Sequence, residues 1–292
     1  MPLAADRTTN QSRERSATSL ARDGRRVYAA LVFAPLFYVL VRYGTPVAFF
    51  TLVTAAALLA LVEFYRLYFF NQRVPIVAMA LGLSLSGLLL ASLQWPELIS
   101  ERVVLLLSLM AVLMYRLGSR RSLSQSLIDS AVLIFGILYI SLTLGHLLLT
   151  RAQEGGQFLI FFVVLVTWAS DTGAYYVGRT LGRHRLAPMV SPNKTVEGLI
   201  GGLVLAVLLA LAARAWFLPS FTVADCLATG VLLSLAGSLG DLAESVLKRS
   251  AGVKDSGTIL PGHGGMLDRL DSLLFTAPVF YYYVSFVKGS AT

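Results

Sequence analysis

Nine apolar runs, each near the roughly 20 residues that an α-helix needs to cross a bilayer, occupy the chain at about 27–43, 46–70, 74–94, 98–116, 127–149, 157–177, 196–218, 223–247 and 271–288. Runs of this length leave the helix as the spanning element. The expected fold class is therefore all-α, a polytopic integral membrane helical bundle of about nine transmembrane helices. Composition agrees: 56% of the 292 residues are hydrophobic and the mean hydropathy is +0.72, far above a soluble domain.

Residues 1–26 are polar, rich in Ser, Thr and Arg, and contain no apolar run, so they read as a disordered cytoplasmic tail. They do not read as a cleavable signal, because the run that begins at Val27 is followed by Arg42 and then by further spans. The expected organisation is a tail (1–26), N-terminal transmembrane helices (27–150) and a C-terminal transmembrane catalytic region (151–292). The single cysteine, Cys226, sits in an apolar run and excludes an internal disulfide and a thiolate zinc cage. The net charge of +8 points to membrane topology and not to nucleic acid, because the basic residues punctuate hydrophobic spans.

Orientation follows from where those basic residues fall. With the N-terminus inside, one side receives the six arginines of the tail, Arg66, Arg73, Arg116, Arg120, Arg121, Arg179, Arg183, Arg185, Lys194, Lys248, Arg249, Lys254 and Arg269. The other receives Arg42, Arg102, Arg151, Arg214 and Lys288, so 19 of the 24 Lys and Arg share one side. That side is expected to be the cytoplasm, and it carries both long polar loops, 178–195 and 249–270.

The most polar stretch of the second half runs from Asp241 to Asp271. It holds Asp241, Glu244, Asp255, Asp268 and Asp271, with Lys248, Arg249, Lys254, Arg269 and His263. If the preceding run continues as helix, Asp241, Ser245, Lys248 and Arg249 share a face. Gly252, Gly257, Gly262, Gly264 and Gly265, with Pro261, then interrupt regular helix and let backbone approach a ligand, as in a phosphate cradle. Asp268 and Asp271, three apart at the start of the last run, share a side. Carboxylates at the mouth of a membrane bundle are costly unless paired or solvated, so function is the default reading. Without a Cys or His cluster the cation implied is hard, and Mg²⁺ fits best.

The pattern Ser245-Val-Leu-Lys-Arg249, then Lys254-Asp-Ser-Gly257, then Leu260-Pro-Gly-His-Gly-Gly-Met-Leu-Asp-Arg-Leu-Asp271 resembles the signature of the phosphatidate cytidylyltransferase (CDP-diacylglycerol synthase) family. Asp171-Thr-Gly-Ala-Tyr175 and Ser191-Pro-Asn-Lys-Thr-Val-Glu-Gly198 are similar to that family's other polar segments. The resemblance covers about residues 160–290, and the first half matches only in being hydrophobic. It implies transfer of the cytidylyl group of CTP to phosphatidic acid, with release of pyrophosphate, in the bacterial cytoplasmic (inner) membrane. It also implies a homodimer and a second cation, such as K⁺, beside Mg²⁺.

Joined to the residue reading, this makes Asp241, Asp268 and Asp271 the expected metal ligands, and Asp241, Lys248 and Asp268 the expected catalytic set. Arg249, Lys254 and Ser245 are expected at the substrate, as are His263, Gly264 and Gly265 in the glycine loop. Lys194 and Thr195 precede an apolar helix whose N-terminus suits an anion. Asp171 closes the sixth span and is expected to complete the site or to pair with an arginine such as Arg179. Each has a plainer reading as a helix cap, an ion-pair partner or an anchoring cation. No P-loop and no dinucleotide-binding glycine motif is present in the sequence, which suits a nucleotidyltransferase built on helices and metal.

Two rival readings remain. One is a related CTP-dependent enzyme acting on another lipid phosphate or lipid alcohol. The other is an ion or anion transporter, which would need polar residues at mid-span on several helices, whereas runs three to five are almost purely apolar at their centres. Cysteines introduced at 150–156 in a cysteine-free background should react with an impermeant thiol reagent from outside sealed cells, and cysteines at 178–195 or 249–270 should not. Labelling of the second set from outside would overturn the orientation.

Overall fold

The computed structural model describes residues 34–68, 76–118, 123–257 and 265–288. The tail at 1–26 lies outside the described residues, as do His263 and Gly264. Among the described residues there is one helix for each of the nine apolar runs. The first, α1, is described over residues 34–43. It is followed by α2 (Pro46–Tyr68), α3 (Ile76–Gln94) and α4 (Glu101–Leu117). Next, α5 (Leu123–Gly136) runs through a π-helical segment, Ile137–Leu142, into α6 (Thr143–Ala152) as one rod. The C-terminal half comprises α7 (Gly156–Leu181), α8 (Val196–Trp216), α9 (Val223–Ser250) and α10 (Leu267–Tyr283), the last extended by a second π segment, Val284–Lys288. Seven of these rods are long and apolar enough to cross a membrane, and α4, with 17 residues, is shorter. The protein is an all-α polytopic membrane protein.

The edges differ from the hydropathy pattern where polar residues continue a helix. α7 runs to Leu181, four residues past its apolar stretch, so Asp171 lies within the helix. α9 runs to Ser250 and turns at Gly252, whose φ of 73° suits a residue without Cβ. α10 starts at Leu267, which puts Asp268 and Asp271 in its first turns. The segment expected as a plain loop at 178–195 contains a small antiparallel hairpin, β1 (Arg185–Ala187) with β2 (Ser191–Thr195). Its turn carries Pro188 at the second position and closes through Val190 N–H to Ala187 C=O at 3.2 Å.

Two packing devices set the positions of the helices. In the N-terminal half, the fully buried Tyr65 ring is wedged between Gly82 of α3 and Gly136 of α5, and its hydroxyl donates to Leu133 C=O at 2.9 Å. In the C-terminal half, α7 and α8 make the most extensive pairing of the fold, and a Cβ at Gly173 would come 2.6 Å from Gly201 C=O. Close backbone approach through small residues is how membrane helices gain van der Waals contact without a hydrophobic driving force. Side-chain hydrogen bonds then climb the interface of α7 with α9 and α10: the hydroxyls of Thr167 and Thr276 pair at 3.2 Å, those of Ser170 and Ser234 at 2.9 Å, and Ser272 Oγ donates to Asp171 Oδ1 at 3.3 Å. This ladder leads to the polar end of the bundle.

Because the atom that a new Cβ would meet at Gly173 is backbone, it cannot swing aside. Gly173→Ala should therefore destabilise the protein by about 1–3 kcal/mol, read as a lowered thermal midpoint in detergent. Gly87→Ala, where a Cβ meets nothing within 4 Å, should leave the midpoint within a degree or two.

Candidate active site

At the end of the bundle where α9 finishes and α10 begins, a cleft of about 740 Å³ opens between α7, the β-hairpin, α8, α9 and α10. Asp171, Asp241, Asp268 and Asp271 line it together with Arg179, Arg185 and Lys194. Carboxylates therefore come from three helices and cations from α7 and the hairpin. Gly240 explains the closeness of α9 and α10 here, since a Cβ at that position would collide with Asp271 C=O. Asp241, the next residue, is thereby brought level with Asp271.

The acidic centre is a trio. One oxygen each from Asp241, Glu244 and Asp271 lies within 4.8 Å of the others. Glu244 is fully buried, whereas the side chains of Asp241 and Lys194 are 36% and 22% exposed. Lys194 Nζ stands 2.8 Å from Asp241 Oδ2 and donates to Ser238 C=O at 3.3 Å. Ser245 Oγ donates to Asp241 Oδ1 at 3.3 Å, as expected for helical neighbours four apart.

Lys248 does not reach Asp241. Its ammonium group lies 2.5 Å from Glu244, one turn earlier on α9, and 2.7 Å from Asp268 on α10. Asp268 is heavily engaged: beyond Lys248, it accepts from Gly265 N–H at 2.9 Å and Ser256 N–H at 3.1 Å. Of the three carboxylates expected as metal ligands, Asp241 and Asp271 thus belong to the clustered trio, and the third clustered group is Glu244. Asp268 lines the same cleft while holding Lys248 and both described ends of the glycine loop.

The remaining expected residues divide. Thr195 is the N-cap of α8, and its Oγ1 accepts from Gly198 N–H at 3.1 Å. Val196 N–H donates to His184 C=O at 2.9 Å, so two first-turn donors of α8 are already engaged, and Lys194 brings its ammonium group, paired with Asp241, to the cleft. Arg249, expected on the Asp241 face, points away and donates to Val190 C=O at 3.4 Å and Val253 C=O at 3.2 Å. Lys254 is exposed and does not line the cleft. Asp171 accepts from Ser272 Oγ, while Arg179 donates to Tyr175 Oη at 2.9 Å. Sequence reasoning passed over Glu244, Arg179 and Arg185 as members of the site. The spacing Glu244-x-x-x-Lys248 was the available signal for the first, since i,i+4 places them side by side.

Comparison with known proteins bears on what such a cleft does. The sequence matches the profile of the cytidylyltransferase family over residues 24–287. The chain belongs to this cytidylyltransferase family. The match begins ahead of the first apolar run and ends in the last, so the family unit includes the N-terminal helices as well as the polar stretch. The phosphatidate cytidylyltransferases of Staphylococcus haemolyticus and Staphylococcus aureus strain COL are each 36% identical to the chain over 257 residues, covering 87% of it and 94% of the relative. That of Staphylococcus saprophyticus is 36% identical over 254 residues with the same coverage. Membership of this family makes the chain a nucleotidyltransferase and the acidic cleft its candidate active site.

The pairing of a buried carboxylate with a shared lysine yields a stability prediction. Lys248→Met would leave Glu244 buried beside Asp268 without its cation, and should cost about 3–5 kcal/mol. Adding Glu244→Gln to that variant should recover a large part of the loss, read as thermal midpoints of the two variants in detergent.

Proposed function

We propose that the protein transfers the cytidylyl group of CTP to phosphatidic acid, giving CDP-diacylglycerol and pyrophosphate for phospholipid synthesis. The setting proposed is the cytoplasmic face of a bacterial inner membrane. The observation that carries the reading is the acidic trio of Asp241, Glu244 and Asp271, set beside Lys194 at one end of a membrane bundle in a chain of the cytidylyltransferase family. The names of the relatives support the substrates. The segregation of Lys and Arg supports the cytoplasmic face. The homodimer and the second cation, K⁺, are kept in this reading on the strength of the family resemblance alone.

The donor set suits a divalent hard cation, because it is all oxygen and its members lie within one coordination sphere of each other. Asp241 and Asp271, with Glu244 behind them, would hold Mg²⁺. When bound, Mg²⁺ neutralises triphosphate charge and polarises the phosphoryl group under attack.

This chain's own residues align and neutralise. Lys194, Arg179 and Arg185 line the cleft and would meet phosphate oxygens, Arg179 and Arg185 by fork-like hydrogen bonds and Lys194 as a point charge. Lys248, held by Asp268, sets its ammonium group against Glu244 of the trio. A lipid phosphate oxygen then forms a bond to the α-phosphorus of CTP while the bond from that phosphorus to the bridging oxygen of pyrophosphate breaks. The acceptor already carries about 1.5–2 negative charges at neutral pH, so no protein base is required. The acyl chains stay in the bilayer between helices while the headgroup enters the cleft, which spares the enzyme from extracting a lipid.

Purified protein in detergent with labelled CTP, phosphatidic acid and Mg²⁺ should form labelled CDP-diacylglycerol and stop when the metal is chelated. Asp241→Asn keeps shape and one weak oxygen donor, yet should lower turnover by roughly a thousandfold with the thermal midpoint preserved. Near-normal, Mg²⁺-dependent turnover by folded Asp241→Asn would remove the trio from the mechanism.

A further inference from the structure

Among the described residues, Glu63, Asp129 and Asp225 are buried carboxylates that lie outside the site, and Glu63 is the one that reaches toward it. Glu63 lies in α2, in the half of the chain that contributes no residue to the cleft, and it is 1% exposed. Its Oε2 accepts from Leu267 N–H at 2.9 Å and from Ser256 Oγ at 3.3 Å, partners 204 and 193 residues away. Its Oε1 has no hydrogen-bond partner among the described residues and faces Gly257, where a Cβ would come to 2.7 Å. Gly265 packs from the other side, and a Cβ there would collide with Ser256 Oγ. The carboxylate thus sits between the outgoing end of the glycine loop, Ser256–Gly257, and its returning end, Gly265–Leu267.

The backbone explains why an acceptor is placed there. Leu267 is the first residue of α10, and the N-cap residue, Met266, supplies no side-chain acceptor. The first N–H groups of a helix have no partner inside it and carry its positive end. Glu63 supplies the missing acceptor from a distant helix. The neighbouring donors, Ser256 N–H and Gly265 N–H, go to Asp268. Two carboxylates therefore stitch the loop ends together, Glu63 from α2 and Asp268 from α10. Asp268 is in turn the group that holds Lys248 against Glu244.

We propose that Glu63 is a positioning residue for cytidylyl transfer: from the N-terminal half, it clamps both ends of the glycine loop and so holds Asp268 and Lys248 in register with the acidic trio. The proposal rests on the reading of that trio as the reaction centre. Glu63 acts on no cleft-lining cation, so the binding of CTP through Lys194, Arg179 and Arg185 is independent of it.

The test compares Glu63→Gln, which keeps a carbonyl acceptor of the same shape, with Glu63→Leu, which fills the space and cannot accept. In full-length protein, Glu63→Leu should lower kcat at least a hundredfold with the KM for CTP within threefold, and Glu63→Gln should stay within tenfold of wild type. Hydrogen exchange should quicken at least tenfold at the Ser256, Gly265 and Leu267 amides in Glu63→Leu alone, with the α7 and α8 amides unchanged. A folded Glu63→Leu with kcat within threefold of wild type overturns the proposal. So does faster exchange spread through α2 and its neighbours, which marks a general structural role. If wild type turns over no CTP, the functional reading fails, and the exchange measurement alone still decides whether the clamp exists.

Discussion

One ammonium group, Lys248 Nζ, stands between two carboxylates at 2.5 and 2.7 Å, and one of them, Glu244, has no exposure to solvent. Removing polar and charged groups from water is costly, and the shared ammonium group offsets part of that cost for both carboxylates. The lysine comes from the last turns of α9, and Asp268 from the first turn of α10. Satisfying the charges thus requires those two helix ends to meet. The candidate site is the place where they do.

That meeting depends on backbones that approach without side chains between them. Gly240 lets α10 come up to α9 at the level of Asp241, and Gly173 with Gly201 does the same for α7 and α8. Between them the side-chain hydrogen bonds of Thr167, Ser170 and Ser272 fix the rotation of α7 against α9 and α10. Rotation is what aims Asp171 and Asp241 into one cleft instead of into lipid. The hairpin then carries Lys194 over the mouth, where it meets Asp241.

The N-terminal helices are tied to this end of the bundle. Tyr65 and Glu63, two residues apart on α2, serve different neighbours: Tyr65 locks α2 against α3 and α5, and Glu63 bonds the glycine loop and the start of α10. A half of the chain that the sequence marks only as hydrophobic therefore supplies a polar contact to the end that carries the cleft. The family match over residues 24–287 is consistent with one unit in which both halves are needed.

Much of this was legible in the sequence, because hydropathy and helical rise are local properties. The length of the apolar runs is enough to require helices, and a rise of about 1.5 Å per residue places Asp241, Asp268 and Asp271 at one depth once α9 and α10 run antiparallel. The i,i+4 rule likewise foretells Ser245 on Asp241. What no local pattern contains is the rotation of each helix about its axis and the partner it faces, since these come from packing against helices far away in the chain. Only the tertiary structure decided that Lys248 serves Glu244 and Asp268 and not Asp241, that Arg249 turns outward, that Glu244 joins the trio, and that a carboxylate at position 63 caps a helix beginning at 267. An ion pair or a cap is chosen by which donors and acceptors are left without water, and that is known only after the bundle has closed around them.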